Sequence, residues 1–273
     1  MENRSAVQIR EHYKIEKAIA ERLRNSTAKE RKHLYIWAYD ELFQKVPHHP
    51  LMDGESDSER LPRTAKEVGA LSPLVRKDSV FVEIGPGDCA VSLEICRLAK
   101  KVYAVDVSTE VTRLANVPPN FELIISDGIN IPLPSNSVDV AYSNQLMEHL
   151  HPDDSLMQVR SVYDSLKQGG AYYCITPNRL SGPHDISREF DPVATCLHLR
   201  EFTVTELDKI FKDTGFRKTQ VYLRLFKFSV MLPVFPFKII EAIISPLPHR
   251  LRKLLTFNKV VKFILGIKLM GTK

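Results

Sequence analysis

Residues 80–90 read VFVEIGPGDCA, and this stretch decides the fold. Val80–Ile84 is a short apolar run, typical of a strand that is buried on both faces of a parallel sheet. Gly85 and Gly87 follow at once, and a helix pattern begins at Ala90. Glycine lets the backbone turn sharply and brings a ligand close to the peptide groups. The stretch therefore predicts a strand, a tight ligand-binding turn and a helix.

Strand and helix patterns alternate from residue 63 to residue 225. Such alternation is typical of an α/β fold, in which helices cover both faces of a mostly parallel, doubly wound sheet. We expect further strands at residues 102–107, 121–126, 138–143, 171–175 and 216–225, and helices at 90–99, 110–115, 153–167 and 205–212. Gly169 and Gly170 are predicted to end the helix over 153–167.

Acidic residues end the second and third predicted strands, at the edge where doubly wound sheets bind ligands. Asp106 follows Gly85 by 21 residues, and an acid there can accept hydrogen bonds from both hydroxyls of a ribose. Asp127 ends the third strand and is placed to contact an adenine. The pattern predicts a cofactor that contains adenosine.

Two adenosine cofactors compete for this site. Residues 85–90, GPGDCA, also satisfy a loose dinucleotide pattern, which would suit NAD. Glu83 lies within the first strand, where a negative charge suits the cationic end of a ligand. Asp88 brings an anion to a place where a pyrophosphate needs hydrogen-bond donors. These two residues therefore point away from NAD.

Five motifs make the sequence resemble the class I S-adenosylmethionine-dependent methyltransferases, in the small-molecule branch that includes quinone-biosynthesis methyltransferases. They are VEIGPGD (82–88), VYAVDVS (102–108), SDGINIPLPSNSVDVAYSNQLMEHL (126–150), LKQGGAYYCITPN (166–178) and FTVTELDKIFKDTGF (202–216). The resemblance covers about residues 65–225. It departs from the family pattern at Cys89, where a third glycine is usual.

The resemblance implies a Rossmann-like fold, S-adenosylmethionine as cofactor, and a set of binding residues. Glu83 would lie near the methionine amino group, with Gly85 and Gly87 under the methionine and ribose. Asp106 would hold the ribose hydroxyls. The remaining contacts would be Asp127 and Gly128 at the adenine, and Asn144 and Gln145 at the methionine end.

The methyl acceptor is expected to be a small, lipophilic molecule that is methylated at oxygen rather than at carbon or nitrogen. Removing a hydroxyl proton near neutral pH favours a histidine base. His149 and His184 follow the fourth and fifth strands at the cofactor edge, and they are the candidate catalytic bases. Glu148, His149, His151, Asp153 and Asp154 have the residue types of a metal site, but we expect the carboxylates to cap a helix, and no metal site is predicted.

Two other functions stay open at this point. An NAD(P)-dependent oxidoreductase is one, although the Tyr163 to Lys167 spacing of its catalytic pair lacks a companion serine. A cofactor-binding subunit without catalysis is the other.

Residues 1–62 are predicted to form an N-terminal helical cap. Apolar spacing indicates one helix over residues 7–23 and another over 28–46, the second begun by a capping box of Thr27 and Glu30. Tyr13 either contacts the methionine carboxylate or the acceptor, or packs within an amphipathic helix; packing is slightly favoured. Residues 47–62 are polar and predict a loop.

Charge is distributed unevenly along the 273 residues, which carry +5 in all. Residues 226–273 hold nine Lys or Arg and one acid, a net +8, whereas residues 1–225 hold 29 basic and 32 acidic side chains, a net −3. We expect this basic, apolar tail to form one amphipathic helix over 249–270 that contacts an anionic membrane peripherally. The alternative is an ordinary helix that packs on the domain.

Nothing in the sequence predicts a nucleic-acid partner or an apolar run of the roughly 20 residues that span a membrane. Four cysteines are too few for a disulfide scaffold, and the first residues lack the apolar core of a signal peptide. We therefore expect a cytoplasmic protein with peripheral membrane association.

Overall fold

An eight-stranded mixed sheet runs through the computed structural model, which describes residues 4–49, 56–107, 117–225 and 228–273. The strands are β1 (Val80–Ile84), β2 (Lys101–Asp106), β3 (Phe121–Ile125), β4 (Val138–Asn144), β5 (Leu166–Thr176), β6 (Lys218–Leu225), β7 (Phe228–Pro233) and β8 (Ile267–Thr272). The helices are α1 (Ala6–Arg24), α2 (Ala28–Lys45), α3 (Asp57–Leu71), α4 (Ala90–Ile95), α5 (Pro152–Ser165), α6 (Val204–Thr214), α7 (Phe235–Ile244), α8 (His249–Phe257) and α9 (Lys259–Leu265).

The strand order is β3-β2-β1-β4-β5-β8-β6-β7. The first five strands in this order pair in parallel, whereas β8 is antiparallel to both β5 and β6, and β7 is antiparallel to β6. The order 3-2-1-4-5 is that of a doubly wound sheet, in which ligands bind beyond the carboxyl ends of the strands. The predicted Rossmann-like, mostly parallel α/β fold is confirmed.

Hydrophobic cores lie on both faces of the sheet. Val82 of β1 packs in a core with residues of α1, α2, α5 and α6, while its neighbour Phe81 packs in a second core with residues of α4. Successive strand residues point to opposite faces, so both faces of β1 are covered. This burial explains why the strand is apolar almost throughout.

One predicted helix end is wrong. Gly169 and Gly170 lie inside β5, because α5 ends at Ser165 and β5 begins at Leu166. A Cβ on Gly170 would lie 2.9 Å from the carbonyl oxygen of Lys167 and 3.1 Å from that of Val138. The glycine is needed for this close backbone approach rather than for a helix stop. Helix α4 is also shorter than predicted, and the helix expected over 110–115 lies outside the described residues.

The two predicted helices of the N-terminal cap are present, and a third helix that the sequence did not predict, α3, crosses the cap boundary at residue 62. The capping box of Thr27 and Glu30 is present. The predicted loop over 47–62 is wrong in its last part, because α3 begins at Asp57 and includes Pro62. Tertiary contacts override the proline, since Leu71 is buried and Glu67 accepts a 2.8 Å hydrogen bond from the Tyr142 hydroxyl.

A buried ion pair fixes the cap to the sheet domain. Arg31 of α2 donates two hydrogen bonds to Asp154 of α5, at 2.6 Å from Nε to Oδ2 and 2.8 Å from Nη2 to Oδ1. The Tyr35 hydroxyl donates a third to Asp154 Oδ2 at 2.7 Å. Both charged side chains are almost wholly buried. Asp154 is therefore occupied by the cap and does not belong to a metal site.

The predicted single helix over 249–270 is also wrong. It is broken at Asn258, whose side chain accepts a 2.9 Å hydrogen bond from the Val260 amide and so caps α9. Residues 267–272 form β8 between β5 and β6. The apolar spacing at the end of the predicted helix is compatible with a helix and with a strand. Ile267 and Leu269 are 0% exposed and face the core at alternate positions, as residues of a strand do. The division into segments 1–62, 63–225 and 226–273 stays a prediction.

Glu241 of α7 further ties this segment to the domain. Its carboxylate accepts hydrogen bonds from the Asn178 side chain at 2.7 Å and from the backbone amides of Val204 and Thr205 at 2.6 and 2.9 Å. These amides belong to the first turn of α6, where a negative charge is favourable. Within the described part of the chain, no helix is both long and apolar enough to cross a membrane.

Candidate active site at the carboxyl edge of the sheet

The turn after β1 has a succession of left-handed residues. Gly85, Gly87 and Cys89 have φ angles of 66°, 54° and 57°. A Cβ on Gly85 would lie 3.0 Å from Leu146 Cδ1, whereas one on Gly87 would meet nothing within 4 Å. Gly87 therefore borders open space, which suits a turn that passes under a ligand. Cys89 adopts the conformation of the missing third glycine, and its side chain is buried.

Glu83 lies buried on β1 just before this turn, where Ser92 Oγ donates a hydrogen bond to its carboxyl group. Burial raises the pKa of Glu83 to about 8, because it outweighs the lowering effect of the Ser92 hydrogen bond, and the neighbouring charge of Glu67 adds a smaller upward contribution. The carboxyl group therefore holds a proton at neutral pH. A ligand ammonium placed beside it would stabilise the charged form, which fits the predicted role.

Asp106 lies at the end of β2, beside the glycine turn. Its Oδ1 accepts a 2.7 Å hydrogen bond from the Val107 amide. The Gly85 amide donates to the Val105 carbonyl at 2.9 Å, so the turn is attached directly to the end of β2. Glu83, the turn and Asp106 thus lie together on adjacent strands, as predicted.

Asp127 follows β3 and is held by several donors. Its Oδ1 accepts from the amides of Ile129 and Asn130, at 3.0 and 2.8 Å, and its Oδ2 lies 2.9 Å from Lys32 Nζ. Partial burial alone would raise the pKa of Asp127, but these hydrogen bonds outweigh it and lower the pKa to about 2. Asp127 is therefore ionised, and its adenine contact stays a prediction. Sequence reasoning missed Lys32, which reaches the site from the cap.

Gly128, Asn144 and Gln145 complete the predicted cofactor residues. Gly128 has a φ of 81°, and a Cβ there would lie 3.0 Å from Val107 Cγ1. Asn144 ends β4, and Gln145 follows with a φ of 55° while its amide donates to Ile175 at 2.9 Å. The structure therefore places them at the same carboxyl edge as Glu83 and Asp106.

Comparison with known proteins assigns this part of the chain to a domain family. A family profile described as a methyltransferase domain matches residues 82–174, which include the last three residues of β1, the glycine turn and Asp106. Residues 82–174 form a class I S-adenosylmethionine-dependent methyltransferase domain. S-adenosylmethionine is the cofactor of such a domain, and the open space at Gly87 beside the buried Glu83 carboxyl group fits its binding.

Relatives of this methyltransferase domain occur in mycobacteria. A probable S-adenosylmethionine-dependent methyltransferase of Mycobacterium tuberculosis is 31% identical over 136 residues, or 50% of this chain and 47% of that protein. One of Mycolicibacterium smegmatis is 27% identical over 136 residues, or 50% of this chain and 51% of that protein. The chain thus spans about half the length of the curated relatives it matches. Membership of a quinone-like branch stays a prediction.

Solved structures share the fold of the methyltransferase domain. A chain from the complex of the Haloferax volcanii Trm112 methyltransferase activator with a methyltransferase has a TM-score of 0.55 at 16% identity, covering 79% of this chain and 91% of that one. A methyltransferase from Archaeoglobus fulgidus has a TM-score of 0.51 at 18% identity, covering 88% and 100%. At these identities the likeness shows the fold.

His149 lies in the loop that follows β4 of the methyltransferase domain. Its Nδ1 donates a 3.2 Å hydrogen bond to the Leu197 carbonyl, and its ring meets that of His198 edge-on at a centroid distance of 4.9 Å. Burial, with a smaller effect from His198, lowers the pKa of His149 to about 3. His149 is therefore neutral, and its low pKa makes it a weak base.

His184 is held by a carboxylate that it shares with His198. Glu201 Oε1 lies 3.3 Å from His184 Nδ1 and 2.8 Å from His198 Nδ1, and it also accepts from the His184 amide at 2.7 Å. Burial opposes the charge of Glu201, but the two histidines hold its pKa down to about 2. The structure thus joins both predicted bases into one cluster through His198 and Glu201, which sequence reasoning missed.

Tyr13 takes the packing role that the sequence slightly favours. Its ring stacks on Phe190 at a centroid distance of 4.3 Å, and its hydroxyl donates to Asp191 Oδ2 at 2.6 Å. Helix α1 therefore packs against the loop that follows β5, next to the histidine cluster. These contacts of Tyr13 give no evidence of a role in binding the cofactor or the acceptor.

Proposed function

We propose that this protein transfers a methyl group from S-adenosylmethionine to the oxygen of a small, lipophilic acceptor. The convergence of Glu83, the Gly85–Gly87 turn and Asp106 at one strand edge, within the matched domain, supports the proposal. The cofactor supplies a methyl group already activated by a sulfonium. The remaining task of the protein is to orient the acceptor and exclude water.

Each predicted cofactor residue has a role suited to its position. Glu83 pairs with the methionine ammonium, and Asp106 accepts hydrogen bonds from the ribose hydroxyls. Asn144 and Gln145 contact the methionine end. Asp127 and Gly128 bound the adenine, where the fixed carboxylate of Asp127 is an acceptor for its amine.

Replacing Asp106 by Asn tests the cofactor site. We expect S-adenosylhomocysteine to bind about 10- to 100-fold more weakly in isothermal titration, because two charge-assisted hydrogen bonds, worth roughly 1–3 kcal/mol, are weakened. Asp78→Asn changes an exposed acid before β1 and should leave the affinity unchanged. Equal affinities of the Asp106 variant and the wild type would remove Asp106 from the ribose role. Binding of NADH instead would favour an oxidoreductase.

His184 has the better arrangement of the two predicted bases. The Glu201 carboxylate orients its Nδ1, and a carboxylate in that position stabilises an imidazolium. His184 Nε2 lies 3.2 Å from Ser181 Oγ, in the loop after β5. We infer that His184 accepts the acceptor's proton, whereas burial makes His149 unsuited to that step.

A His184→Ala variant should lose about 100-fold in turnover and keep its affinity for S-adenosylhomocysteine, because a general base contributes about 10²- to 10⁴-fold. Turnover is measured by mass spectrometry of lipid and small-molecule extracts with labelled S-adenosylmethionine. The exposed His33 provides a matched control, His33→Ala. A wild-type rate in the His184 variant would mean that another group takes the proton or that the acceptor is not a hydroxyl.

Exposed apolar side chains support a lipophilic acceptor and a peripheral contact with an anionic membrane. They are concentrated on β7 and on α7 to α9, and Phe257 is 89% exposed. Together they comprise Phe228, Met231, Phe235, Ile239, Ile243, Leu251, Leu254, Leu255, Phe257, Val260 and Phe263. Arg250, Arg252, Lys253, Lys259 and Lys262 lie among them. Apolar side chains interspersed with cations suit the surface of an anionic bilayer.

Vesicle sedimentation tests this contact. We expect the protein to bind phosphatidylserine-containing vesicles much more strongly than neutral ones, and high salt to weaken the binding without abolishing it. The double variant Leu254→Ser and Phe257→Ser should bind at least about 10-fold more weakly, since each side chain contributes roughly 1.5–3 kcal/mol when buried. Val193→Ser removes an exposed apolar side chain elsewhere and serves as the control. Undiminished binding of the double variant would contradict the proposal.

A further inference from the structure

Three groups of potential metal ligands occur among the residues that the structure describes. In each group, one ligand atom per residue lies within 4.8 Å of the others. The groups are Glu148, His149 and His198; His12, Glu16 and His49; and Glu16, Asp185 and Cys196. Among these three groups, only that of Glu148, His149 and His198 has a buried carboxyl oxygen without a hydrogen-bond partner and two imidazoles that are oriented by hydrogen bonds.

The group around His12 already uses its donor atoms. His12 contacts Arg4 Nη1 at 2.7 Å through Nδ1 and Glu16 Oε2 at 2.6 Å through Nε2, so neither ring nitrogen is available to an ion. In the third group the carboxylates of Glu16 and Asp185 accept hydrogen bonds from backbone amides of residues 196–198. Because these atoms already make hydrogen bonds within the fold, neither group needs a metal ion to account for it.

Glu148 is different, because half of its carboxyl group has no partner. The residue is 0% exposed, and its Oε2 accepts a 2.9 Å hydrogen bond from Thr176 Oγ1. Its Oε1 is buried and has no hydrogen-bond partner. An unsatisfied buried carboxyl oxygen is costly, and each one in a native structure calls for an explanation such as a bound ion, a water molecule or a catalytic role.

The imidazoles of His149 and His198 are each held by a hydrogen bond at Nδ1, which leaves Nε2 for an ion. Nδ1 of His149 donates to the Leu197 carbonyl at 3.2 Å, since a carbonyl can only accept. Nδ1 of His198 donates to the Glu201 carboxylate at 2.8 Å. In protein metal sites the ligating histidine regularly donates its other ring N–H to a carbonyl or carboxylate, which fixes the tautomer and the ring orientation. In both residues this leaves Nε2 as the nitrogen for an ion.

We propose that Glu148, His149 and His198 form a binding site for a divalent transition-metal ion of the zinc type. Two imidazole nitrogens and one carboxylate oxygen are a donor set that zinc accepts, with a fourth position left open for water or substrate. Magnesium would require mainly oxygen ligands. Tetrahedral ligands about 2 Å from an ion lie roughly 3.3 Å apart. One ligand atom of each of the three residues lies within 4.8 Å of the others, so the side chains must move closer together to bind an ion.

The site lies at the same edge of the sheet as the cofactor residues. Glu148 and His149 follow Asn144 and Gln145 after β4, and Thr176 ends β5 on the neighbouring strand. An ion with an open position there would bind an oxygen atom of the methyl acceptor. The metal site itself is independent of the proposed function, because it holds whether or not the acceptor is a hydroxyl.

Cobalt and zinc titrations of the full chain test the site after treatment with a chelator and dialysis. We expect one Co²⁺ per chain, with the visible absorption of a low-symmetry, four- or five-coordinate ion, and displacement of Co²⁺ by Zn²⁺. Glu148→Gln and His198→Gln should weaken Co²⁺ binding by about 100-fold or more. Thr176→Val, which only releases the orienting hydrogen bond, should weaken it about 10-fold.

The matched control is His49→Gln, which removes a histidine from the group around His12 and should leave Co²⁺ affinity unchanged. Circular dichroism establishes that each variant is folded. If Glu148→Gln does not fold, the single variants Thr176→Val and His198→Gln decide whether the group binds the metal ion. The proposal is overturned if the wild type binds no stoichiometric Co²⁺, or if folded Glu148 and His198 variants bind it as well as the wild type. It is also overturned if only His49→Gln loses binding.

Discussion

Deleting residues 249–273 is expected to prevent folding of the protein. The deletion removes β8, which lies between β5 and β6 and pairs with both. It also exposes the partners of Ile267 and Leu269, which are wholly buried. Each such side chain contributes about 1.5–3 kcal/mol when buried, and a domain has only about 5–15 kcal/mol in all. The two side chains alone account for about 3–6 kcal/mol of that margin, and the loss of two strand pairings is added to it.

The deletion is assessed by circular dichroism, thermal melting and gel filtration of the soluble fraction. The double variant Leu254→Ser and Phe257→Ser is the control, because it alters exposed side chains of the same segment and should leave the melting temperature nearly unchanged. A truncated protein that is soluble, melts cooperatively and binds S-adenosylhomocysteine normally would show that β8 is dispensable. Membrane contact must therefore be tested with point variants rather than by truncation.

An Arg31→Ala variant is expected to lose about 3–5 kcal/mol of the free energy of unfolding. The substitution leaves the buried carboxylate of Asp154 with the Tyr35 hydroxyl as its remaining side-chain donor, and an uncompensated buried charge is strongly destabilising. Chemical denaturation at neutral pH gives the free energy of unfolding, and the melting temperature should fall by roughly 10 °C.

The exposed Arg76 provides the matched control, because its pair with Asp78 lies in solvent. Arg76→Ala should change the free energy of unfolding by less than about 1 kcal/mol. The double variant Arg31→Ala with Asp154→Asn should be more stable than Arg31→Ala alone, since it removes the unpaired charge. A loss below about 1 kcal/mol for Arg31→Ala would contradict the importance assigned to this ion pair.

The parallel part of the sheet could be predicted from the sequence because its strands are buried on both faces. Val80–Ile84 shows this directly, and the glycines that follow it mark the turn. The C-terminal strand could not be predicted in the same way. Residues 267–272 continue the apolar spacing of a basic helix, and their partners on β5 lie about 100 residues earlier in the chain. Only tertiary pairing distinguishes the strand from the helix.

The candidate site likewise has a part that could be predicted from the sequence and a part that could not. Asp106 and Gly85 were predicted because each follows a recognisable strand. The link between His149 and His184 was not, since it passes through His198 and Glu201 in an irregular segment that has no periodicity. Local sequence shows which residue types are present, whereas the distance between loops depends on how the complete sheet packs.

The position of β8 also bears on the order in which the chain acquires its structure during synthesis. Strands β1 to β5 emerge from the ribosome first and can pair with one another. Strand β6 emerges later, but the place between it and β5 is filled only when residues 267–272 appear. Until then the nascent chain carries two open strand edges, which are prone to pair with other chains. A trigger-factor-type chaperone that covers these edges during translation should therefore increase the soluble yield of the protein.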